Sequence, residues 1–405
     1  MKLLFITPGF VYPLVGGQSI RTHYFLKELH TLGAEITAIT MLEPGSDGAF
    51  LEVMHETCAK VIPVPVDPDR PLSNLRKIML KLSPTPTTMI RYFNRAFNQV
   101  VRDTLATQCF DALLCDQLHM ASYCHRLKLP KILNTDDPLY IQLQREAAVC
   151  ADRVKAVKLG WEGFKYRVYE KRMFGKFDAV LFVSASDRDL VQKDLGCRNI
   201  QIIPQGVDIT EYHPSGPSID RISDPFILLT GMMNYAPNAA SAVYFVKEVL
   251  PLIRRQCPGV GCMIVGAYPT DEVKALAVEN DQVVVTGFVD DVKPYLRAAA
   301  VYAAPAVSGT GIKNKVLQAM AMEKAIVATP LSMDGIPQAV DGEHILVRET
   351  PDELAAASIQ LLHDESLRLR LGRNARQCII DHYSWASIVG NLYHLLENLS
   401  RPSSR

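Results

Sequence analysis

Ala304-Pro305-Ala306-Val307-Ser308-Gly309-Thr310-Gly311-Ile312-Lys313-Asn314-Lys315-Val316-Leu317-Gln318-Ala319-Met320-Ala321-Met322 is the stretch that decides the fold. An apolar run at 301–304 leads into it and Pro305 ends that run. A loop of small residues follows, and from Ile312 the apolar residues Ile312, Val316, Ala319 and Met320 recur at helical spacing. Strand, glycine loop and helix in this order make half of a βαβ unit. Working outward, short apolar runs at 225–229, 261–265, 282–285 and 325–329 flank it, with a helical pattern at 239–254 among them. The first half repeats the alternation, with runs at 3–7, 35–41, 60–65, 111–115, 131–134, 178–184 and 200–204. Strands alternating with helices build parallel sheets covered on both faces, so the expected class is α/β with two doubly wound, Rossmann-like domains. The first is expected over 1–206 and the second over 207–384, with the Pro-containing stretch 211–218 as linker; the last amphipathic segment, 385–405, is free to pack back on the first domain.

Composition narrows the function. Lys+Arg and Asp+Glu balance at 43 each in 405 residues, so no global field points to nucleic acid. The apolar run Leu3-Leu4-Phe5-Ile6 is too short for a signal sequence, and nowhere do about 18 uncharged apolar residues run together. A cytoplasmic protein is expected. The nine cysteines contain no C-x-x-C pair and read as reduced thiols rather than disulfides or zinc ligands.

In open parallel sheets the ligand crevice lies beyond the carboxyl ends of the strands. Two strand-end loops there carry glycines. Gly16 and Gly17 precede a helix holding Arg21; they offer close backbone approach and free N–H groups at a helix N-terminus, or else form a flexible turn. Residues 308–311 present backbone donors at the helix that starts near Ile312, and Lys313 and Lys315 bring cations to the same end. Lysines in a first turn oppose the helix dipole unless an anion sits there; the alternative is two solvated surface lysines. The absence of G-x-G-x-x-G argues against a dinucleotide oxidoreductase. Asp136 and Asp137 follow the run 131–134 and precede Pro138. Asp137 is expected to cap the next helix, which leaves Asp136 as the acceptor-side carboxylate.

The order Ile202-Ile203-Pro204-Gln205-Gly206-Val207-Asp208, Val265-Gly266, Gly287-Phe288-Val289, the 309–322 loop and helix, and Ala325-Ile326-Val327-Ala328-Thr329 resembles family 4 of the retaining glycosyltransferases. Gly16-Gly17 and Phe182-Val183-Ser184-Ala185-Ser186-Asp187 resemble it too. The resemblance implies the GT-B architecture, two such domains facing each other across a cleft. It also implies transfer of a sugar from a nucleoside-diphosphate sugar, the donor, to a glycan or lipid-linked acceptor in cell-surface polysaccharide or glycoconjugate synthesis, with retained configuration. No cofactor and no metal are implied.

By position, Gly17 would sit against the diphosphate, His119 near the donor sugar and the backbone of Val289 on the nucleobase. Ser308, Gly309, Thr310, Gly311, Ile312, Lys313, Asn314 and Gln318 complete the donor site, with Thr310 and Gln318 where the family usually has glutamates. The loop Gly231-Met232-Met233-Asn234-Tyr235 adds Asn234 but lacks the family's cations there, which leaves Lys315, Lys313 and Arg21 for the leaving-group charge. A non-catalytic nucleotide-sugar-binding protein and a sugar-nucleotide epimerase are the competing readings.

From Arg70 to Arg102 the charges are Arg70, Arg76, Lys77, Lys81, Arg91, Arg95 and Arg102, with no acid among them, and Leu72, Leu75, Ile78, Met79 and Leu82 recur at helical spacing. This is the pattern of a basic helix making peripheral contact with an anionic membrane, or of a solvated helix face whose apolar side joins the core.

Overall fold

The computed structural model describes residues 1–9, 16–44, 49–70, 80, 83–150, 152–219, 225–309 and 311–401. The apolar runs of the first half become seven parallel strands: β1 Lys2–Thr7, β2 Glu35–Leu42, β3 Lys60–Pro65, β4 Ala112–Asp116, β5 Lys131–Asp136, β6 Ala179–Phe182 and β7 Ile200–Ile202. Their order is β3-β2-β1-β4-β5-β6-β7. β4 is buried at every position and β1 at all but its first, as expected of parallel strands with helices over both faces. The order reverses between β1 and β4, so the carboxyl ends of those two strands flank the switch point.

The second half forms β8 Phe226–Thr230, β9 Gly261–Val265, β10 Val283–Gly287, β11 Val301–Ala304, β12 Ile326–Ala328 and β13 Leu346–Val347, ordered β10-β9-β8-β11-β12-β13. Its switch point lies between β8 and β11, and the loop 305–313 emerges there. β13 escaped the sequence reading because two residues show no periodicity. The helical pattern at 239–254 starts earlier, at Ala236, with Pro237 in its first turn, and passes through a π-turn, Phe245–Val249, just before Pro251, whose missing N–H cannot continue the regular ladder.

The chain divides into two compact units, Met1–Pro204 with Ile388–Arg405, and Gln205–Ser387. The helix Trp385–Ser400 thus begins in the second unit and continues in the first. The stretch 211–218 is no free linker: it belongs to the second unit, where Arg297 donates to the carbonyls of His213 and Pro217 and Arg376 to that of Tyr212. Gly206 admits no side chain there, because a Cβ would run into the indole of Trp385. All nine cysteines are free. No helix among the described residues is long and apolar enough to cross a membrane.

Candidate active site

In the second unit the loop after β11 turns on Gly309 and Gly311, both with positive φ (96° and 75°), a conformation that costs glycine little. It is tied to the segment after β12: Ala306 N–H donates to Ser332 Oγ (3.1 Å), Thr329 Oγ1 to the Ala306 carbonyl (2.8 Å) and Gly311 N–H to Asp334 Oδ2 (3.3 Å). The helix that follows runs Asn314–Ala321, later than the sequence pattern suggested, with Lys313 at the N-cap and no side chain capping it. Ile312 therefore lies in the loop, half-buried, where a Cβ on Gly335 would press on it at 3.1 Å. Ser308 and Asn314 are exposed. Thr310 lies outside the described residues.

Lys315 donates to Asn238 Oδ1 at 2.8 Å, and Asn238 in turn donates to the carbonyl of Met232 at 3.0 Å. The loop after β8 and the loop after β11 are thus locked together by a lysine held on a neutral amide. Burial, and then the neighbouring Lys313, draw the Lys315 ammonium down to about 8. Lys313 is lowered by burial against the pull of Asp334, and its Nζ donates to the Gly311 carbonyl at 2.7 Å. Two partly desolvated lysines and an uncapped helix start converge here, an arrangement that an anion stabilises. The residue after β8 that reaches Lys315 is Asn238, in the first turn of the helix that starts at Ala236; Asn234, on the loop, is exposed. Gln318 donates to the Tyr212 hydroxyl at 2.9 Å, which commits its amide nitrogen to the 211–218 stretch. Val289, after β10, packs half-buried against the core.

In the first unit Gly16 opens the helix Gly16–Thr31, and Gly17 is exposed with open space where a Cβ would stand. Residues 10–15 of that loop lie outside the described residues. Arg21 is 1% exposed. It donates to Asn134 Oδ1 (3.1 Å), the Pro204 carbonyl (2.9 Å) and the Ile203 carbonyl (2.8 Å), pairs with Asp136 Oδ1 at 2.9 Å and stacks on Phe25. The guanidinium, expected to face the leaving group, is buried as an internal strut joining the helix to the ends of β5 and β7. Asp136 is the other end of that strut. Its backbone is left-handed (φ 56°) and its Oδ1, facing an Arg21 Nε–H already directed at Asn134, has no hydrogen-bond donor among the described residues.

Beneath them Asp116 accepts from Thr7 (3.0 Å), Thr22 (2.8 Å) and Asn134 (2.8 Å), and burial pushes it up to about 6. Sequence reading missed Asp116 and Asn134; their only signal was a polar residue closing each otherwise apolar run.

His119 follows β4 in the short 3-10 turn Leu118–Met120. Burial draws its pKa down to about 4, its ring lies 4.2 Å from that of Tyr92, and its Nε2 is sealed from solvent without a hydrogen-bond partner among the described residues. The imidazole is neutral at pH 7. Asp137 does not cap the next helix. That helix, Leu139–Val149, has Pro138 at its N-cap, and Glu170 Oε1 takes the Leu139 N–H at 2.8 Å. Asp137 is exposed, and its carboxyl is pushed up to about 6 by partial desolvation and by Asp187 and Asp136.

Of the basic stretch, Arg76, Lys77, Lys81 and the apolar positions 72–79 and 82 lie outside the described residues. Arg91 is engaged by the Pro68 carbonyl and Asp69. The helix Arg95–Thr107 turns Phe97 and Val101 into the core and leaves Arg95 and Arg102 exposed.

Two family descriptions match the chain: Glycosyltransferase Family 4 over residues 15–211 and Glycosyl transferases group 1 over residues 224–364. An uncharacterised glycosyltransferase of Methanocaldococcus jannaschii is 26% identical over 56% of this chain and 60% of its own length. A phosphatidyl-myo-inositol mannosyltransferase of Mycolicibacterium smegmatis is 26% identical over 58% of this chain and 60% of its own. The matches thus span about three fifths of these relatives. Among solved structures, a sucrose-phosphate synthase from Thermosynechococcus elongatus (15% identity, TM-score 0.65) covers 98% of this chain and 99% of its own, and Anabaena HepE in complex with UDP-glucose (15%, TM-score 0.62) covers 98% and 100%. With two parallel doubly wound sheets and a glycine loop at the switch point of the second, the chain is a family 4-like glycosyltransferase of the GT-B class.

Proposed function

We propose that the chain is a retaining, metal-independent hexosyltransferase that moves a sugar from a nucleoside-diphosphate sugar to a hydroxyl of a glycan or lipid-linked acceptor, in the making of a cell-surface polysaccharide or glycoconjugate. The observation that carries this reading is Lys315 on the Asn238 amide, beside Lys313 and an uncapped helix start at the β8–β11 switch point. As the acceptor oxygen bonds to the anomeric carbon, the bond from that carbon to the phosphate oxygen breaks and leaves its electron pair there. Lys315, Lys313 and the helix amides stabilise the charge that grows, and the same phosphate oxygen takes the acceptor's proton. The neutral His119 has an unpartnered Nε2, which bonds a sugar hydroxyl once the Leu118–Met120 turn shifts to uncover it. Support for a lipid-linked acceptor comes from the relative named for phosphatidyl-myo-inositol, and for a uridine donor from the HepE complex. A cytoplasmic site of action and a peripheral membrane contact through 70–102 belong to the same reading.

The commitment of Gln318 to Tyr212 favours a second reading, a protein that binds nucleotide sugars without turning them over. Incubation with a panel of uridine and guanosine diphosphate sugars, with and without acceptors, separates the two. Release of nucleoside diphosphate with an anomeric configuration retained by NMR is the expected result. Saturable donor binding with neither hydrolysis nor transfer under any acceptor would overturn the enzyme reading.

A further inference from the structure

The helix Arg153–Phe174 has two apolar faces. One, with Tyr166, Tyr169 and Met173, lies in the core of the first unit. The other, Val154, Val157, Trp161, Phe164 and Val168, follows the i, i+3, i+4 pattern, yet is exposed by 63, 73, 49, 52 and 45% respectively. At a rise of about 1.5 Å per residue it runs roughly 20 Å along the helix. Trp161 and Phe164 stack on each other at 5.7 Å, so two aromatic rings form its middle. Projected at about 100° per residue, the stripe is flanked on one side by Lys158 and Arg172 and on the other by Arg153 and Lys171, all exposed. The helix's two acids are turned to other work: Glu162 pairs with Lys165 at 3.0 Å and accepts the Thr87 N–H, and Glu170 is buried.

We propose that this face is a membrane-docking surface, on which the helix lies in the plane of an anionic bilayer with Trp161 and Phe164 in the headgroup–acyl boundary and the lysines and arginines among the phosphates. An exposed apolar stripe bordered on both sides by cations fits an anionic lipid surface. Protein interfaces, by contrast, are depleted in lysine around their apolar centre. The surface is distinct from the 70–102 stretch, and its existence does not depend on the transfer reading.

The chain supplies its own reporter. It has two tryptophans, and Trp385 is 3% exposed, so a change of emission on adding lipid comes from Trp161. With vesicles of equal parts phosphatidylcholine and phosphatidylglycerol at low salt, the emission should shift to the blue, be quenched by brominated acyl chains, and the protein should co-sediment. Phosphatidylcholine vesicles alone should give little of this. Replacing Arg153, Lys158 and Lys171 by Gln should weaken partitioning about a hundredfold, since each cation near such a surface contributes a factor of about five, and the gap should close as salt rises. The pair Trp161→Ala and Phe164→Ala, which touches only exposed side chains, should bind at least tenfold more weakly with an unchanged unfolding midpoint. The proposal fails if anionic vesicles leave Trp161 emission untouched. It fails equally if the double variant partitions like the parent, which would put the contact elsewhere. It also fails if emission is already blue without lipid and tracks a dimer, which would make a second copy the occupant.

Discussion

Lys315 is charged at pH 7, but burial and Lys313 have drawn its pKa down to about 8, so near that pH part of the protein carries a neutral amine there. A diphosphate bound beside it favours the charged form and must pull a proton from solution. Calorimetry in buffers of different ionisation enthalpy should therefore show net proton uptake on nucleoside-diphosphate binding near pH 8, with affinity falling as pH rises further. Lys315→Met should abolish the uptake and cost ten- to a hundredfold in diphosphate affinity, the usual weight of a hydrogen bond to a charged group, while leaving the bare nucleoside untouched. Arg21 behaves oppositely. Removing it leaves buried Asp116 and the Asp136 carboxylate without their cation, so Arg21→Ala should lower unfolding free energy in denaturant by about 3–5 kcal/mol. An unchanged midpoint would return Arg21 to the ligand. The two residues show what was legible. Lys313 and Lys315 share one loop and one helix start, so their juxtaposition is local and the sequence shows it. The partner that fixes Arg21, Asn134, is 113 residues away, and nothing in a glycine pair followed by a cation distinguishes a ligand fork from an internal strut.

The helices Leu139–Val149 and Arg153–Phe174 are joined by Glu170, which takes the Leu139 N–H while its Oε2 has no partner among the described residues. Burial pushes this carboxyl up to about 8, far above the value near 4.3 of an unfolded chain. Between those values the folded protein holds a proton that the unfolded one has released, so this group's contribution to stability falls as pH rises. His119, lowered to about 4, works in the other direction, but only up to about pH 6.5, and the raised Asp116 and Asp137 act only up to about 6. The interval from 6.5 to about 7.5 is dominated by Glu170, because Lys315 and Lys324, both drawn down to about 8 by burial, lose their protons mainly above it. Unfolding free energy should drop there by about 1–2 kcal/mol, given 1.36 kcal/mol per pH unit for one proton. Glu170→Gln should flatten the curve and be the more stable protein at pH 8. Asp137-Pro138 looked like a cap followed by a first-turn proline. The helix instead takes its donor's partner from its neighbour, a tertiary solution to a local need. Strands were read more securely than helix starts because an apolar run has to be buried whichever neighbour covers it.

Two parallel-stranded halves were legible because each half repeats the strand–helix alternation, whereas the break at Pro204–Gln205 and the return at Ile388 rest on contacts between distant residues. The masking of function by packing was not legible: Gln318 and the 211–218 stretch meet only once the second unit is folded. Since the glycine loop, Lys315 and Asn238 all belong to that unit, a bound nucleoside diphosphate should slow amide exchange around 231–238 and 305–318 and stabilise the protein by about 2.7 kcal/mol at 100 times its dissociation constant. Protection confined to the first unit would contradict the site.

The helix Trp385–Ser400, with Ile388, Val389, Leu392 and Leu396 buried, completes a unit that otherwise ended at Pro204. On the ribosome this inverts the order of maturation. Gln205–Ser387 is available in full before the residues that finish the first unit have been synthesised. At about 5–20 residues per second the nascent amino-terminal sheet waits roughly 10–40 s for its last helix. The part of the protein made first is the part that chaperones must watch longest.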